Sequence, residues 1–406
     1  MIAADANTPT DSANLRIKLS EALAVCGLLF YTIACIVFLY CPILETFPAI
    51  SALNPFSFCS AASMALAITS IALGPRALSK AQLLIVILSM AIFLFSGSKT
   101  GDYRLAHTCI QLIAIAGIDL TRISTAYYRT VLVAILVIVL LSITGLLYNR
   151  DTIPNNRLVF SFGFVHPNTL GALLFSALAA MTYACWHSKT WPVPVALSAI
   201  AALFSYCLLS SRASAIILVL LTLCGLAGHI PFLQKNPHAP KRLFLVVLVM
   251  VPAIMLAIIV LSSMSFDSSN SLFSMLDKMT NGRLHYGHQY YAANGGFTLV
   301  GRELHYVSSY HNGLSFTNID SGFCYLLFVN GLLSLLALAA IYIAAVIKLA
   351  RKRPEFIIMA IMLIAAVHLM VESYMLFPAS SFAILFLAEA FATEDEQQTT
   401  LTSKKD

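Results

Sequence analysis

Residues 243–263 read LFLVVLVMVPAIMLAIIVLSS, after which the chain turns polar from residue 265 to 320 before a new apolar run opens at 321. A helix of twenty-one such residues, none ionisable, is as long as the hydrocarbon core of a bilayer is thick, about 30 Å. Outward from it, similar stretches lie at residues 22–44, 56–74, 81–97, 105–119, 130–148, 168–186, 191–210, 213–231, 321–348, 356–373 and 375–392. The expectation is about twelve spans, the fourth being the weakest because it is short. The first is read as a retained helix and not a cleaved signal peptide, since it is long, lacks a small-residue cleavage pattern and precedes further spans.

Composition agrees. Hydrophobic residues make up 59% of the chain and charged residues 10%, a balance that excludes a water-soluble domain of this length. The fold class expected is an all-α polytopic integral membrane protein with one large extracytoplasmic loop carrying short helices. Basic residues orient it: with a cytoplasmic amino terminus, about two thirds of all Lys and Arg fall on inner segments, among them Lys348, Arg351, Lys352 and Arg353, as the positive-inside rule requires. The net charge of +6 reflects that bias and gives no reason to expect a nucleic acid as partner. Residues 1–20 are then a cytoplasmic tail, 21–263 a membrane domain of about nine helices, 264–320 the outer loop, 321–393 three further helices, and 394–406 a second cytoplasmic tail. The nine Cys form no C-x-x-C pair and are read as small buried hydrophobes.

Four places carry chemistry. Arg212, in Ser210-Ser211-Arg212-Ala213-Ser214 between two apolar runs, is either a snorkelling boundary residue or a fixed cation aimed at an anion, and a planar guanidinium suits phosphate oxygens. In Thr280-Asn281-Gly282-Arg283-Leu284-His285-Tyr286-Gly287-His288, Thr280 or Asn281 is placed to cap a short helix running to Asn294, with Gly295-Gly296 ending it. Arg283 would then share its first turn with free backbone amides, an arrangement suited to anions. His285 and His288 are three apart, but without H-E-x-x-H and with only Asp277 and Glu303 nearby, no metal is assigned. Asp320 stands where the loop enters an apolar helix, as a cap, a general base, or both. Phe160-Ser161-Phe162-Gly163-Phe164-Val165-His166-Pro167-Asn168 places Pro167 at a helix start and predicts an aromatic outer loop, its rings either stacking on sugars or belonging to an interfacial belt.

Taken together, S-F-G-F-x-H-P-N-x-x-G at 161–171, S-R-A-S at 211–214, N-G-R-L-x-Y-G at 281–287 and I-D-S-G-F-x-Y-L-L-x-x-x-G at 319–331 resemble the Wzy-type polysaccharide polymerases. These are similar to the O-antigen ligases and, more distantly, to the SEDS glycosyltransferases. The resemblance spans roughly residues 20 to 392 and rests on the order of motifs that are individually weak. It implies an inverting glycosyltransferase in the bacterial cytoplasmic membrane, with no cofactor and no metal. Donor and acceptor would both be oligosaccharides linked to undecaprenyl pyrophosphate, met among membrane lipids, with a flippase and a chain-length regulator as further partners. Arg212 and Arg283 fall on the family's pyrophosphate-associated arginines. Asp320, eleven residues before Gly331, falls where the ligases carry a histidine, and an acid there is similar to the SEDS aspartate and favours polymerase over ligase. His166, Asn168, His285, Tyr286, His288, Arg302, His311, Tyr325 and Glu372 are the substrate-binding candidates. A transporter is the rival of a different class; it would keep ionisable groups near the midplane and break helices there, whereas these spans are nearly free of charge.

Overall fold

The computed structural model describes residues 11–74, 78–149, 159–230, 238–280, 282–303, 309–311, 314–316 and 319–392. Besides two single helical turns, Ile43–Thr46 and Pro48–Ser51, its helices are α1 (Asp11–Phe38), α2 (Pro55–Leu73), α3 (Lys80–Thr100), α4 (Arg104–Ile115), α5 (Leu120–Ile143), α6 (Pro167–Cys185), α7 (Pro192–Cys207), α8 (Arg212–Ala227), α9 (His238–Ser265), α10 (Ser271–Met279), α11 (Arg283–Ala293), α12 (Gly322–Tyr325), α13 (Leu332–Lys352) and α14 (Phe356–Leu369). A π-helical turn, Leu326–Asn330, links α12 to α13, and 3₁₀ segments cover Ser373–Leu376 and Phe382–Phe391. Two three-residue strands, β1 (Ser309–His311) and β2 (Leu314–Phe316), pair antiparallel with His311 opposite Leu314.

Seven helices among the described residues are long and apolar enough to cross a membrane: α1, α2, α3, α5, α6, α9 and α13. The other five stretches expected as spans correspond to the shorter apolar helices α4, α7, α8 and α14 and the 3₁₀ segment Phe382–Phe391. Burial sorts them into layers. Among the inner elements is α14, where ten residues from Ile357 to His368 are buried and which packs against α6, α8 and α9; a helix apolar all round has no face to give to water. By contrast α3 exposes Leu83, Leu84, Ile87 and Leu88, and α5 exposes Val133, Leu136, Val137 and Leu140. Such stripes at helical spacing suit a lipid surface, not water.

The expected continuous helix over 321–348 is instead broken. Asn330 ends the π turn, and Gly331 takes φ 84° and ψ 167°, a region essentially reserved for glycine. The amides this frees are recaptured by the preceding loop, since Leu332 N donates to Thr298 O and Leu333 N to Leu299 O, both at 2.9 Å. Arg302 N donates to Val329 O at 3.1 Å, and the Arg302 guanidinium donates to Gly296 O. Thus part of the polar excursion is packed along a helix break, where interrupted backbone is tolerated because neighbouring groups satisfy it. Arg302 is a loop fastener here, and His311 is placed only by its strand.

The break requires two backbones at contact distance: a Cβ on Gly331 would fall onto Gly301 N and Leu299 O. Gly331→Ala is therefore expected to cost about 3 kcal/mol or more. Gly145→Ala, at φ 74° with nothing within 4 Å, should cost about 1 kcal/mol. Thermal unfolding of the purified protein in detergent compares the two, and equal losses would mean that the backbone contact at Gly301 carries no weight.

Candidate active site

Each position of the H-P-N-x-x-G motif has a physical task. His166 is the N-cap of α6, its Nδ1 accepting from Asn168 N at 3.1 Å, and Pro167 occupies the first turn, where a missing N–H costs nothing. Asn168 Nδ2 donates to Glu372 Oε1 at 2.7 Å. Gly171 lets α8 approach, because a Cβ there would strike Ser214. That contact puts the start of α8, and so Arg212, at the same end of the bundle as His166 and Asn168. Arg212 is exposed and makes no hydrogen bond or ion pair among the described residues.

Arg283 is the hub. Its Nε donates to Val371 O and its Nη1 to Thr280 O, each at 3.1 Å, while Nη2 lies 3.5 Å from Glu372 Oε1 and 3.6 Å from Asp320 Oδ2. The two carboxyl groups differ in setting. The Asp320 side chain retains 42% of its exposure and that of Glu372 only 3%. Burial raises the proton affinity of Asp320, opposed by the charges of Arg283 and His166. Glu372 lies in the turn beyond α14. There burial pushes its carboxyl up to about 8, with Arg283 and the Asn168 hydrogen bond opposing and the Asp320 charge adding to the rise. One guanidinium facing two carboxylates leaves a pair whose environments push them apart, the arrangement from which acid and base roles arise.

Several expectations change. The cap of α11 is Gly282, with no side-chain cap bond; Thr280 turns its hydroxyl back to Leu276 O, and Asn281 lies outside the described residues. The amide of His285 is taken by Asp277 Oδ1 at 2.9 Å, so the first turn of α11 already holds an anion of its own and is not an open anion site. The α11 helix does end at Ala293, with Gly295 and Gly296 at positive φ behind it. Asp320 is not the cap of α12, because Ser321 is, accepting from Cys324 N, and this frees the Asp320 carboxylate to face Arg283. Of the aromatic run before His166, Phe164 is fully buried and given to packing, while Phe160 and Phe162 stay half-exposed, Phe162 lying 5.6 Å from Phe160 and 5.5 Å from Phe204 between ring centroids. His288 Nδ1 donates to Ser263 O, His285 Nε2 pairs with the Gln289 amide, and both rings lean on Phe266. Among the described residues no three His, Cys, Asp or Glu cluster as metal ligands do. Tyr286 sits beside His285, 6.2 Å between centroids, in the field of Asp277, Asp320 and Arg283.

Tyr325 belongs to a second charged cluster. Its hydroxyl donates to Asp102 Oδ2 and accepts from Arg104 Nη2, both at 2.5 Å. Arg104 grips Asp102 with two nitrogens at 2.8 and 3.0 Å and lies 4.3 Å over the Phe377 ring. Burial alone would raise the Asp102 carboxyl, but the charge and hydrogen bonds of Arg104 outweigh it and hold the group below its ordinary value. Sequence reasoning missed this pair. The signal existed, for Lys99 and Arg104 fall on the side that the basic-residue bias leaves poor in cations.

No protein-family model matches the chain, and comparison with curated proteins and with solved structures finds no match.

Removing Arg104 strands a carboxylate that is 13% exposed. Arg104→Met is expected to destabilise the protein by about 3 kcal/mol, and Asp102→Asn added to it should restore most of that loss. Thermal unfolding across this double-mutant cycle measures it; strictly additive losses would show that the pair is held apart by solvent.

Proposed function

We propose that the protein is a polysaccharide polymerase of the Wzy type, acting on the outer face of the bacterial cytoplasmic membrane in capsule, exopolysaccharide or O-antigen synthesis. In this reading twelve helices cross the bilayer, the seven long ones and the five short apolar segments, with both termini cytoplasmic. The site end of the bundle then faces outward. The observation that carries the reading is the meeting of Asp320 with Arg283 at 3.6 Å. They are the loop residues to which the family resemblance attaches the base and the leaving group, and four separate chain segments converge around them.

The chemistry is a single displacement. The acceptor sugar hydroxyl of one lipid-linked repeat unit attacks the anomeric carbon of a growing glycan. The new C–O bond forms as the bond to the undecaprenyl pyrophosphate oxygen breaks, and that oxygen keeps the electron pair. Asp320, ionised and reachable from solvent, accepts the hydroxyl proton. Arg212, the exposed cation at the same end, and the Nη2 edge of Arg283 stabilise the departing pyrophosphate. The anomeric centre inverts.

One feature favours a second reading, transport: the helix broken at Asn330–Gly331, since transporters use such breaks at binding sites. Counterflow of a labelled sugar in vesicles would support it. A glycan ligase shares the architecture and differs in acceptor.

Because Ser321 supplies the cap, Asp320→Asn should keep the start of α12 and lose only the stability carried by its ion pair with Arg283, read as a modest fall in the unfolding temperature, while lowering polymerisation about a hundredfold or more. In cells it should cause single repeat units to accumulate on undecaprenyl pyrophosphate, read by mass spectrometry of the lipid-linked pool. Accumulation of long lipid-linked chains would instead indicate a ligase, and unchanged polymer would remove Asp320 as base.

Orientation has its own check. A cysteine at exposed Ser269, in a protein otherwise free of Cys, should react with a membrane-impermeant thiol reagent in intact spheroplasts. Labelling only after lysis would place the loop inside and exclude the mechanism.

A further inference from the structure

Arg283 cannot swing freely, because Nε and Nη1 are tied to the carbonyls of Val371 and Thr280. Only Nη2 faces charge, and both Glu372 and Asp320 lie beside it. If both carboxylates are ionised, the three groups together carry one net negative charge, and an arriving pyrophosphate meets repulsion at the arginine meant to receive it. If one carboxyl is protonated the cluster is neutral and Nη2 is available. Solvation decides which one: Asp320 keeps access to water, whereas Glu372 is 2% exposed, and that burial outweighs the opposing hydrogen bond that Asn168 Nδ2 donates to its Oε1.

We propose that Glu372 is a positioning residue that works in its protonated form, carrying the proton on Oε2 while Oε1 accepts from Asn168. This leaves Arg283 Nη2 to a pyrophosphate oxygen and Asp320 ionised as base. The inference rests on reading the site as one that handles a lipid-linked pyrophosphate. Other titratable groups face Glu372 from the elements packed around it. Asp320 and Arg283 act on its charge and Tyr374, in the 3₁₀ turn, is coupled to it; His166 caps α6 beside its Asn168 partner, and His368 lies one turn back in α14 with its ring edge-on to Phe175. Among the described residues Arg283 is the one Lys or Arg in ion-pair contact with it. The carboxyl's shift to about 8, caused first by burial, agrees with a proton held at neutral pH and lost as the pH rises past that value.

Glu372→Gln imitates the protonated carboxyl and cannot ionise. Purified wild type and variant are to be titrated with a short-chain polyprenyl pyrophosphate at pH 6.5 and pH 9, with inorganic pyrophosphate in parallel. If only the neutral form admits the anion, wild-type affinity should fall about tenfold between the two pH values as the competent fraction shrinks. The variant should match wild type at pH 6.5 and hold its affinity at pH 9. An equal fall in both, or loss of binding by folded variant at pH 6.5, overturns the proposal. Infrared difference spectra of wild type minus variant give a readout that needs no ligand: a buried carboxylic C=O band should be present at pH 6.5 and vanish around pH 8. Its absence at pH 6.5 overturns the proposal even if the lipid binds. If the band titrates as expected but neither protein binds the lipid pyrophosphate at either pH, the pyrophosphate reading of the site fails and the proposed role of Glu372 in admitting it fails with it. Equal affinity for inorganic pyrophosphate would make the free anion the ligand, and would overturn recognition of its lipid-linked form.

Discussion

One nitrogen, Nη2 of Arg283, stands between two carboxylates from different parts of the chain, and the surrounding architecture serves to keep it there. The guanidinium is anchored on its other edges by a carbonyl from the turn after α14 and one from the end of α10. Glu372 is in turn tied to α6 through Asn168. An arginine this enclosed is tolerable only with its charge matched and its donors satisfied. Any segment that moved would leave an uncompensated group behind. The site is thus also a clasp joining α6, α10, α11, the entrance to α12 and the end of α14.

The helix break at Asn330–Gly331 serves the same end of the molecule. A continuous helix from 321 to 348 would have left residues 298–302 as a loop over the surface. The interruption instead lets that loop lie along the bundle and exchange hydrogen bonds with Val329, Leu332 and Leu333. Its cost is polar atoms without partners: both amide atoms of Asn330 and the hydroxyl of Ser334 are buried and unpaired. Unsatisfied groups of this kind mark a place where structure has been kept for a reason other than stability.

A parallel device holds the neighbouring wall. Asp102, Arg104 and Tyr325 form a closed triangle of short hydrogen bonds, with Phe377 under the guanidinium. Tyr325 follows Asp320 by about a turn of helix, and Phe377 lies just beyond Glu372. The triangle therefore steadies both carboxylate-bearing segments from behind.

Apolar run length was enough to place apolar helical segments in their order, though not the break at Asn330–Gly331 or the 3₁₀ form of Phe382–Phe391, because bilayer-scale hydrophobicity is a property of composition that needs no partner to be read. The start of α6 at Pro167 and the end of α11 before Gly295 were legible for the same local reason: capping and termination depend on a few adjacent residues. The site was only half legible. Asp320, Arg283, Asn168 and Glu372 could be named as candidates, but nothing local says that Ser321, and not Asp320, caps α12. Nor does it say that Asp277 fills the first turn of α11, or that of the phenylalanines before His166 it is Phe164 that packs inward. Those outcomes depend on which segments meet across the bundle. The sharing of Arg283 by two carboxylates 52 residues apart in the chain belongs to the tertiary structure alone, since only packing sets how much water each carboxyl keeps and therefore which one holds a proton.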